Sequence, residues 1–468
     1  MNLFARKLPA PDQSQRLRPI LGAVDLTLIG VGNMIGTGIF VLTGIAAATQ
    51  AGPALILSFV FAGIACAFVA FAYAELSASV GGCGGAYGYA YAAFGELPAW
   101  LAGWNVLFCY GAALAAVANG WSGYFDNALE ALGFPLPPAL VKGPAAGGIA
   151  NLPAAMIILV LMVALLAGVK QSARINRIIV SVKLTALVIF LAVAAFHLRA
   201  ALWQPFMPYG WFGHTADGST VGVLAAASVV FFAYRGFQTV SFAVEEARNP
   251  KRDVPLGVLG SMMITTVLYL AVAGALTGIA PYRVLNVSSP VAFALLRLGY
   301  GWGSALVAAG VIIGLTSTML MIYYALTRVV FAIARDGLLP RFFSTLHPRT
   351  QNPVNAIVLG GIVLAAIAGT APLAALAQLV NAGTLTEFVL VCIGVMILRG
   401  RPELVRPFRT PGGIVVPLLG IAFCVALLSF LPLITLERYV GYLAAGIAIY
   451  FGYAGRISAR RALGENPL

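Results

Sequence analysis

Charge is what this sequence has least of. Asp, Glu, Lys and Arg together supply 9% of 468 residues, with 15 acids and three histidines. Soluble domains carry roughly a quarter of their residues charged, so this composition excludes one. Histidine is too sparse for a metal site: His197, His214 and His347 fall outside the apolar runs and show no ligand spacing. The five cysteines, Cys66, Cys83, Cys109, Cys392 and Cys424, are scattered in or beside apolar segments, with neither metal-ligand spacing nor a disulfide framework. There is no His/Asp/Glu cluster and no nucleophile elbow, so an enzyme has no support and no cofactor or metal is expected. The stretch from Met1 to Pro19 lacks an apolar core, so no cleavable signal peptide is expected. A sensor would carry a soluble output domain, and the apolar runs leave no room for one.

Apolar residues are abundant: 61% of the chain is hydrophobic and mean hydropathy is +0.95. This is the composition of a polytopic membrane protein. Twelve spans are expected at 24–48, 53–80, 98–125, 152–169, 174–197, 220–247, 256–280, 302–333, 354–370, 373–398, 414–432 and 437–455. The net charge of +13 raises nucleic acid as a partner, but its distribution argues otherwise. With the N-terminus inside, 21 of the 28 Lys and Arg residues fall on the inner side, five on the outer side, and Lys183 and Arg235 within the membrane. The positive-inside rule then places both termini in the cytoplasm, and the basic excess is topological.

Four glycines fall between Gly30 and Gly38, inside the first span. Each weakens a helix by about 1 kcal/mol relative to Ala, so this span is expected to break. Broken backbone cannot face lipid and must line a cavity. Freed N–H groups there attract a carboxylate, and freed carbonyls attract a cation or ammonium. A zwitterion such as an amino acid has both. Close helix packing through small residues is the alternative use of such glycines. On the binding reading, Gly36 and Gly38 need room for a backbone approach that a side chain would block. The sixth span breaks similarly at Phe231-Phe232-Ala233-Tyr234-Arg235-Gly236. Interruptions in spans one and six imply two inverted halves with a site at their interface. The expected organisation is a cytoplasmic segment 1–23, a first repeat 24–197, a second repeat 220–398, two further helices in 414–455, and a cytoplasmic tail 456–468.

At this point the residues resemble a known family. GVGNMIGTGIFVLTG (30–44), AYAELSASV (72–80), GGAYGYAY (84–91), GELPAWLAGW (95–104), EEARNPKRDVP (245–255), ARDGLLP (334–340) and RPFRTP (406–411) are similar to stretches of the amino acid–polyamine–organocation superfamily, in the family's order. Within it the chain looks like the bacterial relatives of the cationic amino acid transporters. The resemblance implies an all-α, LeuT-like fold with a 5+5 inverted repeat and twelve transmembrane helices, helices 1 and 6 broken. It implies a secondary amino acid transporter of the bacterial inner membrane working by alternating access, with proton-coupled uptake or uncoupled exchange both open. Its partners would be an amino acid, protons and membrane lipid. Carried over by position, a substrate carboxylate would meet N–H groups around Ile35, Gly36, Thr37 and Gly38. The ammonium would meet carbonyls near Met34 and Ile35 and near Phe232, Ala233 and Arg235, with Phe232 as an aromatic gate.

Ionisable residues inside the spans sharpen this reading. Lys183 lies nine residues past Arg174, about 14 Å into its span, too deep to snorkel comfortably. In proton-coupled members a lysine at this position occupies the place of a sodium ion and touches a carbonyl of the broken first helix. Lys183 is thus either the coupling group or a permanently charged tether to carbonyls near Gly32 and the hydroxyls of Thr316 or Ser317. The family's acids are missing at Asn105, Cys109 and Gln238, while Arg235 and Glu387 are gained. Arg235 therefore pairs with Glu387, meets an acidic substrate, or turns outward. Glu75 and the Glu245–Glu246 pair are expected to meet basic loop residues. Tyr87, Tyr89 and Tyr91 are expected as interfacial anchors.

Overall fold

The computed structural model describes residues 20–80, 85–168, 173–215, 220–335, 337–347, 352–401 and 404–455. The basic stretch 1–19, the tail 456–468, Cys83, Lys170 and Arg349 lie outside the described residues, as does the side chain of Glu245. The chain is helical almost throughout. In order, its principal helices are α1 (Ala23–Met34), α2 (38–51), α3 (Leu55–Val80), α4 (Gly85–Ala93), α5 (Glu96–Ala131), α6 (Leu152–Leu166), α7 (Ala173–Ala195) and α8 (Val223–Tyr234). After a 3-10 segment, Phe237–Glu246, follow α9 (Pro250–Ile279), α10 (Pro290–Arg297), α11 (Gly301–Arg335), α12 (Val354–Thr370), α13 (Leu373–Leu398), α14 (Val415–Ser429) and α15 (Leu433–Ile449). A two-stranded hairpin, Gly213–His214 with Thr220–Val221, precedes α8.

Among the described residues, seven helical segments are long and apolar enough to cross a bilayer, and α14 with α15 adds a pair bent by 115°. Three shorter apolar helices, α1, α6 and α12, accompany them. This is a multi-pass membrane protein. With lipid outside, apolarity alone does not separate core from surface. Helices α6, α12, α14 and α15 turn Val160, Ile362, Val425 and Val440 outward, while α3 and α5 bury Tyr73, Trp100 and Tyr124. α3 packs on α8 and α9, α5 on α11 and α13, and α6 on α12.

Both interruptions expected from the sequence are present. α1 ends at Met34, Ile35 is extended (φ −74°, ψ 96°), and the helix resumes from Gly38 with a π-helical turn, Gly38–Leu42. α8 ends at Tyr234, Arg235 is extended (φ −66°, ψ 125°), and Gly236 has φ 143°, a conformation open to glycine. The far ends of the two broken elements pair with each other. Leu21 bridges Ala247, and the N–H groups of Ile20 and Leu21 donate to the Glu246 carbonyl at 2.9 Å.

The short segment α4 departs from expectation at Tyr89. Its hydroxyl lies 2.7 Å from Ser77 Oγ and the ring is buried. Half a helical turn separates Tyr89 from its neighbours, so it faces α3 while Tyr87 and Tyr91 remain half-buried.

Candidate functional site

The two interruptions face each other. A Cβ on Gly236 would lie 2.8 Å from Asn33 C and from Met34 N, so the two backbones touch. The Tyr269 hydroxyl, from α9, stands 2.6 Å from the Met34 carbonyl and 2.8 Å from the Ala233 carbonyl, sharing its proton between the ends of α1 and α8. Asn33 Nδ2 donates to Thr239 Oγ1 at 3.1 Å, a second tie between them. Nothing in the sequence pattern pointed to Tyr269 or Thr239. Each is a long-range partner, and only the approach of α9 and the 3-10 segment makes it one.

The break leaves donors free. Among the described residues, the N–H groups of Gly36, Thr37 and Gly38 meet no backbone acceptor, whereas those of Ile39 and Phe40 donate to the Gly36 carbonyl at 3.2 Å. These are the orphan donors of a helix start, and the dipole of α2 adds partial positive charge there. A carboxylate satisfies such a group. The two glycines differ in their surroundings. A Cβ on Gly36 would meet only Leu315 Cδ2, at 3.8 Å, so Gly36 borders open space. A Cβ on Gly38 would fall 2.5 Å from Ala233 Cβ and 2.9 Å from Ala233 N. Gly38 is where α2 and α8 pack, so a side chain there would force the two elements apart while one at Gly36 would not. Thr37 Oγ1 is buried and has no hydrogen-bond partner among the described residues.

Carbonyls at the break hold a cation from the protein itself. The Lys183 ammonium, 2% exposed, donates to the Gly32 carbonyl at 2.7 Å, the Ile35 carbonyl at 3.0 Å and Thr318 Oγ1 at 2.7 Å. The hydroxyl expected at this place was Thr316 or Ser317. Thr316 instead accepts from Trp121 Nε1 at 2.9 Å. The reason is helical phase: a Cβ on Gly314 would lie 2.7 Å from Lys183 Cγ and Cε, so the lysine stem runs over Gly314. Thr318, four residues on, shares that face. Ser317 is buried as well.

Arg235 and Glu387 do not form the contact pair weighed from the sequence. Among the described residues, carboxylate–cation contacts within 4.0 Å are Asp25–Arg177 and Glu75–Arg399. Glu387, 5% exposed, accepts from the Tyr73 hydroxyl at 2.6 Å. The Arg235 guanidinium carbon lies 4.6 Å over the Tyr110 ring, and its buried Nε has no acceptor among the described residues. Phe232 is buried, and its carbonyl accepts the Arg235 N–H at 3.3 Å. The positions of the missing acids have packing roles. Asn105 Nδ2 donates to the Gly383 carbonyl at 2.9 Å, Cys109 packs against Gly383, and Gln238 Oε1 accepts the Gly236 N–H at 2.9 Å.

Two features flank the site. A cavity of about 590 Å³ lies at the ends of α2, α8 and α13, lined by Gln50, Thr220, Ser228 and Gln378 among others. At the opposite end, buried Glu75 receives Arg399 through Nε at 2.9 Å and Nη2 at 2.5 Å, and the Thr410 N–H at 2.9 Å. This fork joins α3 to the segment after α13.

The family model described as "Amino acid permease" matches residues 21–451. The methylthioribose transporter of Bacillus subtilis (strain 168) is 44% identical over 98% of this chain and 99% of its own length. The branched-chain amino acid permease BcaP of the same organism is 42% identical over 96% of each chain. A vacuolar cationic amino acid transporter of Arabidopsis thaliana is 36% identical over 84% of this chain and 65% of its own length.

Proposed function

This chain belongs to the amino acid permease family, a family of transporters and not of enzymes, and on that premise we propose that it is a proton-coupled amino acid transporter working by alternating access. The observation that carries the proposal is the pairing of a free N–H cluster at Gly36, Thr37 and Gly38 with a buried lysine on the carbonyls of Gly32 and Ile35. The substrate carboxylate takes the N–H groups. Its ammonium shares the Met34 and Ala233 carbonyls with Tyr269, since a carbonyl oxygen has two lone pairs. Phe232 closes over it.

Lys183 is the coupling group in this mechanism. Protonated, it bridges α7, α11 and the end of α1 through three acceptors. Without its proton it loses its hold on two carbonyls, and α1 is released to move. Binding and release of one proton thereby bias the element that forms half of the substrate site. The surrounding scaffold is the LeuT-like 5+5 inverted repeat, with α1 and α2 as its first span and α8 with the 3-10 segment as its sixth. The cavity near Gln50 and Gln378 is the outer approach, and the Glu75–Arg399 fork closes the cytoplasmic side. Both termini lie in the cytoplasm of a bacterial inner membrane, as the placement of Lys and Arg supports.

The relatives are named for different cargo, and the class proposed for this chain is amino acids. The test is uptake into proteoliposomes with and without an imposed pH gradient. Wild-type protein accumulates substrate only with the gradient, and Lys183→Ala binds substrate without accumulating it. Gradient-independent uptake that requires substrate preloaded inside would instead identify an uncoupled exchanger, the second reading of this scaffold.

A further inference from the structure

Arg235 has no use in the mechanism just given beyond its backbone. We infer that its guanidinium selects the substrate, and that the preferred cargo is an amino acid with a carboxylate in its side chain. This rests on the transport reading and goes beyond it by naming the substrate class.

The first observation is an unfilled requirement. A guanidinium offers five N–H donors and stays protonated at any working pH. Among the described residues it donates to no protein acceptor, and no carboxylate lies within 4.0 Å of it. Its environment offsets the charge without using the donors. The ring of Tyr110 covers one face at 4.6 Å, and the C-terminal end of α8 carries partial negative charge. Neither places an acceptor in the guanidinium plane. A carboxylate there would take two parallel N–H···O bonds.

The second observation is position. Met34 and Ala233 share the Tyr269 hydroxyl. Gly36 follows Met34 by two residues, and Arg235 follows Ala233 by two. The backbone at Gly236 touches Asn33 and Met34. The N–H cluster and Arg235 therefore each begin two residues past a carbonyl that Tyr269 holds, one on each broken element. A ligand carboxylate at each end fits two groups of this kind.

The third observation is charge. Glu387 is engaged by Tyr73 and is not in contact with Arg235. Among the described residues, Lys183, Arg235 and Glu387 are the Lys, Arg and carboxylate side chains around the interruptions, two cations against one carboxylate. A dicarboxylic amino acid, with net charge −1, balances that sum. A neutral amino acid leaves it positive, and lysine or arginine raises it further, at a cost that burial increases.

The experiment compares isosteric ligands on the full-length protein in nanodiscs: L-glutamate against L-glutamine, and L-aspartate against L-asparagine, with L-leucine and L-arginine alongside. The acids are expected to bind about tenfold or more tightly than their amides. Arg235→Gln is expected to abolish that preference while leaving affinity for the amides within about threefold. Arg235→Lys restores part of it. Equal or weaker binding of the acids by wild-type protein overturns the selectivity proposal and leaves the transport reading standing, as does tight binding of L-arginine. Failure of every amino acid to bind overturns the transport reading as well. The wild-type comparison needs no variant, so poor folding of an Arg235 substitution does not decide the outcome.

Discussion

Two alanine substitutions two residues apart should have opposite consequences. At Gly38 the new Cβ arrives 2.5 Å from Ala233 Cβ and 2.9 Å from Ala233 N. Carbon pairs settle at about 3.5–4.0 Å, so α2 and α8 must part by roughly 1 Å. The obstacle is partly backbone and cannot swing aside. Overpacking of this kind costs about 1–3 kcal/mol, and here it separates the two elements that carry the site. At Gly36 the new Cβ meets only Leu315 Cδ2 at 3.8 Å, an ordinary contact. Replacing a glycine at a compatible backbone position stabilises by about 0.4–1 kcal/mol through the unfolded chain. Gly36→Ala should therefore melt at or above the wild-type temperature. Its methyl group nevertheless enters the space beside the free N–H groups, so substrate binding should fall at least tenfold. Gly38→Ala should lose thermal stability and binding together. The assays are thermal unfolding of the purified protein in detergent and equilibrium binding of radiolabelled substrate. A wild-type melt for Gly38→Ala would refute the packing role. Wild-type affinity in Gly36→Ala would falsify the placement of the substrate at the α1 break.

Other perturbations follow from single contacts. Gly314→Ala puts a methyl group 2.7 Å from Lys183 Cγ and Cε, so the lysine stem must move and gradient-driven accumulation should drop while substrate exchange persists; unchanged accumulation would show that the stem has slack. Tyr269→Phe removes the proton shared by the Met34 and Ala233 carbonyls and should cost about 1–3 kcal/mol of stability, read as a lowered melting temperature; an unchanged melt would mean the two breaks are held otherwise. Arg399→Ala strands the buried Glu75 carboxylate and should destabilise by about 3–5 kcal/mol, with Glu75→Gln in the same chain recovering part of the loss. No recovery in the double variant would show that the fork adds nothing beyond its own packing.

The sequence alone determined what repeats along the chain or depends on neighbours a few residues away. Apolar runs declared the membrane class, the Lys and Arg distribution argued against nucleic acid, and glycine density located the first helix break, because helix propensity is local. The depth of Lys183 was legible because helical rise converts residue count into distance. Which groups meet was decided by tertiary structure. Thr318, and not Thr316, receives Lys183 because the phase of α11 against α7 is set by the slot at Gly314, and a phase between helices is not written in either one. Gly36 and Gly38 look alike in sequence, yet one borders open space and the other packs on Ala233, since α8 approaches from nearly two hundred residues away. Arg235 and Glu387 looked like a pair because both are rare charges in apolar runs. In the fold Glu387 takes the Tyr73 hydroxyl from α3 and Arg235 takes the Tyr110 ring from α5, partners that only helix packing could supply.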